Sequence, residues 1–334
     1  MKIPRSKFFV SIAAILMLVL SACNLPAQAT PTVSAPTATE IIPPAQTATL
    51  APTLTATLTL PSPTATLVLP TATKAVPHVF VPSTDIEVGD LIHDAVSVDT
   101  ATEKRAPYGD GYQINRFERP FLQDMTYVAD LDIASFNLSK DDRFYYVSIE
   151  LVGANPNNPL GINYDVEIDT DADGFGDYVI AARPPYSVEW TTANVIVAQD
   201  SNHDTGGLSA ERSDSPLPGD GYDEVIFDGA NGLGADPDLA WVRINAGRYA
   251  TVQFAFKLGL AENRFMLGVI ADAGLRDIGQ LDYSDRFTEE QAGSPVAGDK
   301  FYPLKALFAV DNVCREAYGF VGTGEEPQRC PKTR

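Results

Sequence analysis

The sequence predicts an all-β fold, an antiparallel β-sandwich with long acidic loops, carried behind a disordered Thr/Pro/Ala-rich stalk. Three observations predict it. Short runs with a period of two recur from residue 143 onward. Clusters of Gly, Pro, Asn and Asp, such as GANPNNPLG and SDSPLPGDG, separate those runs. No stretch sustains a helical period, apart from the short RFTEEQA at 286–292. Alternation puts every second side chain on one face of a strand, and turn-rich connections suit antiparallel neighbours.

In chain order, residues 1–23 come first. Lys2, Arg5 and Lys7 precede an apolar run from Phe8 to Leu20 that only Ser11 interrupts. A permanent membrane helix needs about 20 apolar residues, so this shorter run is a secretory signal. Leu20-Ser21-Ala22-Cys23 resembles the lipobox of bacterial lipoproteins. The resemblance implies that Cys23 is lipidated and becomes the mature N-terminus, tying the chain to a membrane through acyl chains. The other reading is an ordinary signal peptide with a chance cysteine.

Residues 24–77 are a different material. Fourteen Thr, eleven Ala and ten Pro fill 35 of 54 positions, and Glu40 and Lys74 are the only charges. Proline removes backbone donors, and Thr and Ala offer little surface to bury, so no packed core can form. The segment is a spacer that reaches at most ~170 Å at about 3.1 Å per residue.

The folded part, 78–334, holds 20 basic and 43 acidic residues, a net charge of −23. Such a surface repels nucleic acid and anionic headgroups and favours metal cations or neutral ligands. Its length suits one large domain. The β-rich runs fall at 143–153, 162–169, 177–182, 194–199, 223–229, 239–244, 248–258 and 264–273. In YATVQFAFKL, residues Ala250, Val252, Phe254, Phe256 and Leu258 share one face. GDGYQI at 109–114 and GDGYDEV at 219–225 echo one another, too few copies for a repeat architecture. Cys314 and Cys330 are the only cysteines of this part, and in an exported domain two cysteines most often pair; the alternative, a redox or metal pair, lacks a close C-x-x-C spacing. The bridge fastens the segment REAYGFVGTGEEPQR to the body.

Acidic loops supply the chemistry. In EIDTDADGFGDY, Asp169, Asp171 and Asp173 hold positions 1, 3 and 5 of a D-x-D-x-D-G pattern. Gly174 takes the turn, Phe175 offers a carbonyl at position 7, and Asp177 stands at position 9. Calcium takes six to eight oxygen ligands, and this spacing aims alternate carboxylates at one point. The alternative is a solvated acidic turn, whose crowded carboxylates would raise its energy when empty. The pattern resembles the calcium loops of EF-hands, dockerins and thrombospondin type 3 repeats. Ile180 at position 12 departs from the EF-hand's bidentate glutamate, so a strand–loop–strand site is expected.

QDSNHDTGG repeats the oxygen spacing with Asp200, Asn202 and Asp204. His203 alternates away from them, and imidazole is a poor ligand for a hard cation. ADPDLAW, with Asp236 and Asp238, offers outer ligands or, preferably, a turn.

ADLDIASFNLSKDDRFYYVSIEL at 129–151, followed by YDVEIDTDADGFGDY, resembles the opening of DOMON domains and family 9 carbohydrate-binding modules. The resemblance is diffuse and covers about 80 residues. It implies a sandwich that binds sugar or, in some members, haem. For haem, His93, His203, Met125 and Met266 form no persuasive axial pair. For sugar, the aromatic candidates are Tyr186, Trp190, Tyr222 and Trp241, each of which the sequence assigns preferably to core or surface filling.

There is no G-x-S-x-G elbow, H-E-x-x-H or phosphate-cradling glycine loop. Three classes stay open: a surface-displayed, calcium-stabilised module for a polysaccharide or another cell-surface ligand, a structural or adhesive envelope protein, and a carboxylate-based hydrolase.

Overall fold

All eight runs with β character are strands. The computed structural model describes residues 77–107, 119–205, 220–273, 290, 293–305, 308–326 and 329–330. Cys23, the secretory signal and the stalk up to residue 76 lie outside the described residues, as do GDGYQI and all of RFTEEQA but Glu290.

Two antiparallel sheets make the sandwich. The first contains β1 (Ile92–His93), β2 (Ile133–Lys140), β3 (Phe144–Leu151), β8 (Ala240–Asn245) and β9 (Thr251–Lys257), in the order β1-β2-β3-β9-β8. The second contains β4 (Asn163–Asp169), β5 (Tyr178–Ala182), β6 (Val195–Gln199), β7 (Glu224–Asp228), β10 (Phe265–Asp272) and β11 (Val310–Tyr318), in the order β11-β10-β4-β5-β6-β7. Every pairing between these strands is antiparallel.

Alternation decides what goes between the sheets. Tyr145, Val147 and Ile149 of β3 and Val252, Phe254 and Phe256 of β9 join one core with Tyr164, Val166 and Ile168 of β4 and Leu267 and Val269 of β10. Each such side chain contributes about 1.5–3 kcal/mol on leaving water. Leu258, expected to extend the β9 face, opens a four-residue helix, Leu258–Ala261.

The outer face of the first sheet is also covered, by the segment that follows the stalk. Asp238 holds it, accepting from the Val79 and Phe80 N–H groups at 2.9 and 2.8 Å and pairing with His78 Nδ1 at 2.8 Å. Farther along, the Ser83 N–H donates to Tyr146 Oη, Trp190 Nε1 donates to the Ser83 carbonyl, and Arg243 Nη2 donates to the Thr84 carbonyl. This strap explains why β3 is buried on both faces: Phe144 and Tyr146 pack with Trp190, Trp241 and Ile86. Asp236 accepts from the Asp238 N–H, so ADPDLAW forms the expected turn and also holds the strap.

The C-terminal region departs from expectation. REAYGFVGTGEEPQR is not a tail throughout, because β11 runs on to Tyr318 and pairs along β10. The Cys314–Cys330 bridge forms and closes Gly319–Cys330 back onto that strand.

Candidate metal centre

The acidic loop joins β4 to β5, two neighbouring strands of the second sheet. Alternation along β4 sends Tyr164, Val166 and Ile168 inward, so Asp165, Glu167 and Asp169 lie on the opposite face, yet each is only 1% exposed. Burying three carboxyls requires compensation, and for two of them it comes from β11. Arg315, also 1% exposed, donates from Nη2 to Glu167 Oε1 at 2.5 Å and from Nη1 to Asp169 Oδ2 at 3.1 Å. Strand β10 lies between β4 and β11, and Gly268 stands opposite Glu167 in the register.

Asp169 shapes the loop. Its Oδ1 accepts the Ala172 N–H at 2.6 Å and its Oδ2 accepts the Gly174 N–H at 3.0 Å. The backbone turns through positive φ at Ala172 (63°) and Gly174 (100°), the second position being glycine's natural place. At the far end, Asp177 Oδ2 accepts from the Thr170 N–H at 2.6 Å and from the Thr170 hydroxyl. Gly176 is required for another reason: a Cβ there would sit 2.1 Å from Tyr222 Oη and 2.3 Å from Glu167 Oε1.

These turns bring one carboxylate oxygen each from Asp169, Asp171 and Asp177 within 4.8 Å of one another. Two oxygens on opposite sides of a calcium ion, at about 2.4 Å each, stand about 4.8 Å apart, so the three fit around one ion. Donation from N–H groups does not exclude this, because an ionised carboxylate has about four lone-pair sites. The crowding shows in the acid strengths. Burial raises the Asp169 carboxyl to about 6, against the pull of Arg315 and the two loop N–H groups. Burial and then the Asp173 and Asp177 charges raise Asp171.

Asp173 does not join the three. Its Oδ2 meets His203 Nε2 at 2.8 Å and its Oδ1 accepts the Phe175 N–H. Phe175 enters through its ring, stacked on His203 with centroids 4.5 Å apart. His203 therefore turns towards the first loop rather than away from its neighbours. Desolvation lowers its basicity, but the hydrogen bond and charge of Asp173, helped by Asp171 and Asp177, prevail and raise it.

The second loop is built differently. Asp200 Oδ1 accepts the Asn202 and His203 N–H groups, and its Oδ2 accepts those of Asp204 and Thr205. Asp204 receives the Asp220 and Gly221 N–H groups, and Asn202 donates to Asp220. The loop is a hydrogen-bonded turn, and among the described residues no third acidic side chain converges with Asp200 and Asp204. Backbone bonds from Gly176 to Thr205 and from Asp200 to Asp177 fasten this turn to the first loop.

The four aromatic candidates are buried, which agrees with core filling. Tyr186 (5% exposed) donates its hydroxyl to the Ile162 and Ala182 carbonyls. Trp190 (9%) carries Arg243 over its ring, and Trp241 (3%) donates Nε1 to the Asp238 carbonyl and packs on His78. Tyr222 (3%) packs under Gly176. Rings covered in this way serve the core and the strap, and no sugar face can reach them. Met125 and Met266 are buried as well.

Sequence reasoning missed Arg315 and the contact of His203 with Asp173. The only hint of Arg315 was its adjacency to Cys314. No protein-family model matches the chain, and no curated protein or solved structure matches it significantly.

Proposed function

We propose that this chain is a lipid-anchored binding module displayed outside the cytoplasm on a Thr/Pro/Ala-rich spacer, its head stabilised by one calcium ion. The observation that carries the metal is the convergence of Asp169, Asp171 and Asp177 oxygens within 4.8 Å. All three donors are hard oxygens, which suit calcium and not a thiolate-seeking or imidazole-seeking metal. The export signal and lipobox-like Cys23 support the anchor, and the Cys314–Cys330 bridge agrees with an oxidising compartment.

The ion serves the loop's charge balance. It neutralises carboxylates that otherwise repel, while the backbone bonds from Gly176 to Thr205 and from Asp200 to Asp177 tie the β4–β5 connection to the turn after β6. Calcium at about 100 times its Kd stabilises the folded state by about 2.7 kcal/mol by mass action. Melting the purified full chain with calcium and with chelator tests this. Calcium should raise the midpoint, and Asp171→Ala, at an exposed position, should abolish most of the rise. An equal rise in that variant refutes the assignment.

Burial of Tyr186, Trp190, Tyr222 and Trp241 favours a second reading, a structural or adhesive head in which the metal only stiffens loops. The two readings differ in whether another surface accepts a ligand.

A further inference from the structure

We propose that the groove between the acidic loop and the C-terminal tail binds a neutral saccharide chain, an inference that rests on the binding-module reading above. The groove has a volume of about 480 Å³, within the range of ordinary ligand sites. Asp171 and Asp173 line it from the loop, Phe320, Thr323 and Glu325 from the tail, and Arg264 from the start of β10.

The tail is built to hold its place. Gly319 turns at a φ of 76°, where a Cβ would strike the Asn263 carbonyl at 1.8 Å. Glu326 accepts the Thr323 and Gly324 N–H groups and the Thr323 hydroxyl, and pairs with Arg329 at 3.6 Å. The Cys314–Cys330 bridge and the Cys330 N–H to Arg315 carbonyl bond close the far end. Arg315 in turn grips Asp169, so one cross-linked unit carries both sides of the groove.

Arg264 points to the ligand class. It is exposed, and carboxylates share its groove, yet its guanidinium lies over the Phe320 ring, 4.5 Å from the centroid, and pairs with none of them. A guanidinium laid on a ring makes a flat, weakly hydrated surface edged with N–H donors. Sugar hydroxyls both donate and accept, so they match the Asp171 and Glu325 acceptors and the Arg264 donors, while the ring's apolar face suits the stack. An anionic ligand meets the groove's carboxylates; for a cationic one, Asp173 is held by His203, Glu326 by the tail and Asp171 by the proposed ion, which leaves Glu325 balanced by Arg264.

The test is titration calorimetry of the full chain with cellohexaose, mannohexaose and xylohexaose, beside calcium melts of the same samples. One hexaose is expected to bind with an affinity indifferent to salt. Arg264→Gln and Phe320→Ala should each weaken it about tenfold or more, as the loss of a central contact does. Both variants should keep the calcium-induced rise in midpoint. No binding of any hexaose, with the calcium rise intact, overturns the groove and leaves the metal reading standing. Undiminished binding in both variants overturns it too, as does salt-sensitive binding of pentalysine in place of the sugars. Hexaose binding without any calcium rise supports the groove and strikes the metal reading alone.

Discussion

Arg315→Met removes the guanidinium that bonds both Glu167 and Asp169. All three side chains are 1% exposed, so water does not take the place of the lost charge. Breaking a buried pair in this way costs about 3–5 kcal/mol. In a domain of this size each kcal/mol shifts the midpoint by about 2–4 °C, which puts the expected fall at roughly 6–20 °C. The assay is calorimetric melting in chelator, so that metal cannot mask the loss. The triple variant Arg315→Met, Glu167→Gln, Asp169→Asn should recover most of the fall, because replacing a whole buried ionic group by neutral ones is often close to neutral. The deficit of the single variant should also shrink at pH 5. Burial already raises Asp169 to about 6 against the pull of the arginine, and a protonated carboxyl no longer needs it. A midpoint within about 2 °C of the parent would refute the reasoning, since surface-like substitutions fall in that range. So would a triple variant as unstable as the single one.

Other outcomes follow from the same structure. Burial raises Asp132 to about 6 against donors from Tyr127 and Ser97, and raises Asp165 in the same direction. A folded-state value above the unfolded ~3.9 means stability that is present below about pH 4 and lost as pH rises through 6, worth about 3 kcal/mol for Asp132. In chelator the midpoint should therefore fall from pH 5 to pH 7, with a flatter slope in Asp132→Asn; a flat parent profile counts against burial as the cause. Reducing Cys314–Cys330, or replacing both by Ala, opens a closure of 16 residues and should cost about 3 kcal/mol, read as a lower midpoint than the oxidised chain. Asp238→Ala should free the strap, so chymotrypsin cleaves after Phe80 faster while the core melts within a few degrees of the parent; unchanged cleavage would show that Asp238 does not hold the segment.

The strands were legible because β3–β10 each keep an apolar face, and the two-residue period survives even where the other face is polar. β11 was hidden by its own composition. Val310–Tyr318 carries Asp311, Asn312, Arg315 and Glu316, so no alternation stands out, and Asp311 and Arg315 are buried because partners elsewhere in the fold receive them. The strap was hidden differently. Residues 78–86 have no period, and their order comes from Asp238, Tyr146, Trp190 and Arg243, all distant in sequence. That same strap consumed Trp190 and Trp241. A tryptophan's chemistry is identical whether it awaits a sugar or covers a strand, so burial alone separates the two.

The acidic loop was legible because its ligand spacing is local, while its side-chain partners lie 146 residues away at Arg315 and 30 at His203. Their presence changes the argument from repulsion. With Arg315 on Asp169 and His203 on Asp173, the loop keeps its turns without a divalent ion, since the Ala172 and Gly174 N–H groups need only the Asp169 oxygens. The charge left for a metal to neutralise is then concentrated on Asp171 and Asp177. Asp171, the most exposed of the converging three and the one raised by both neighbouring carboxylates, gains most from an ion. The metal response therefore belongs to Asp171, the fold's integrity belongs to Asp169, and substitutions at the two positions should separate those effects.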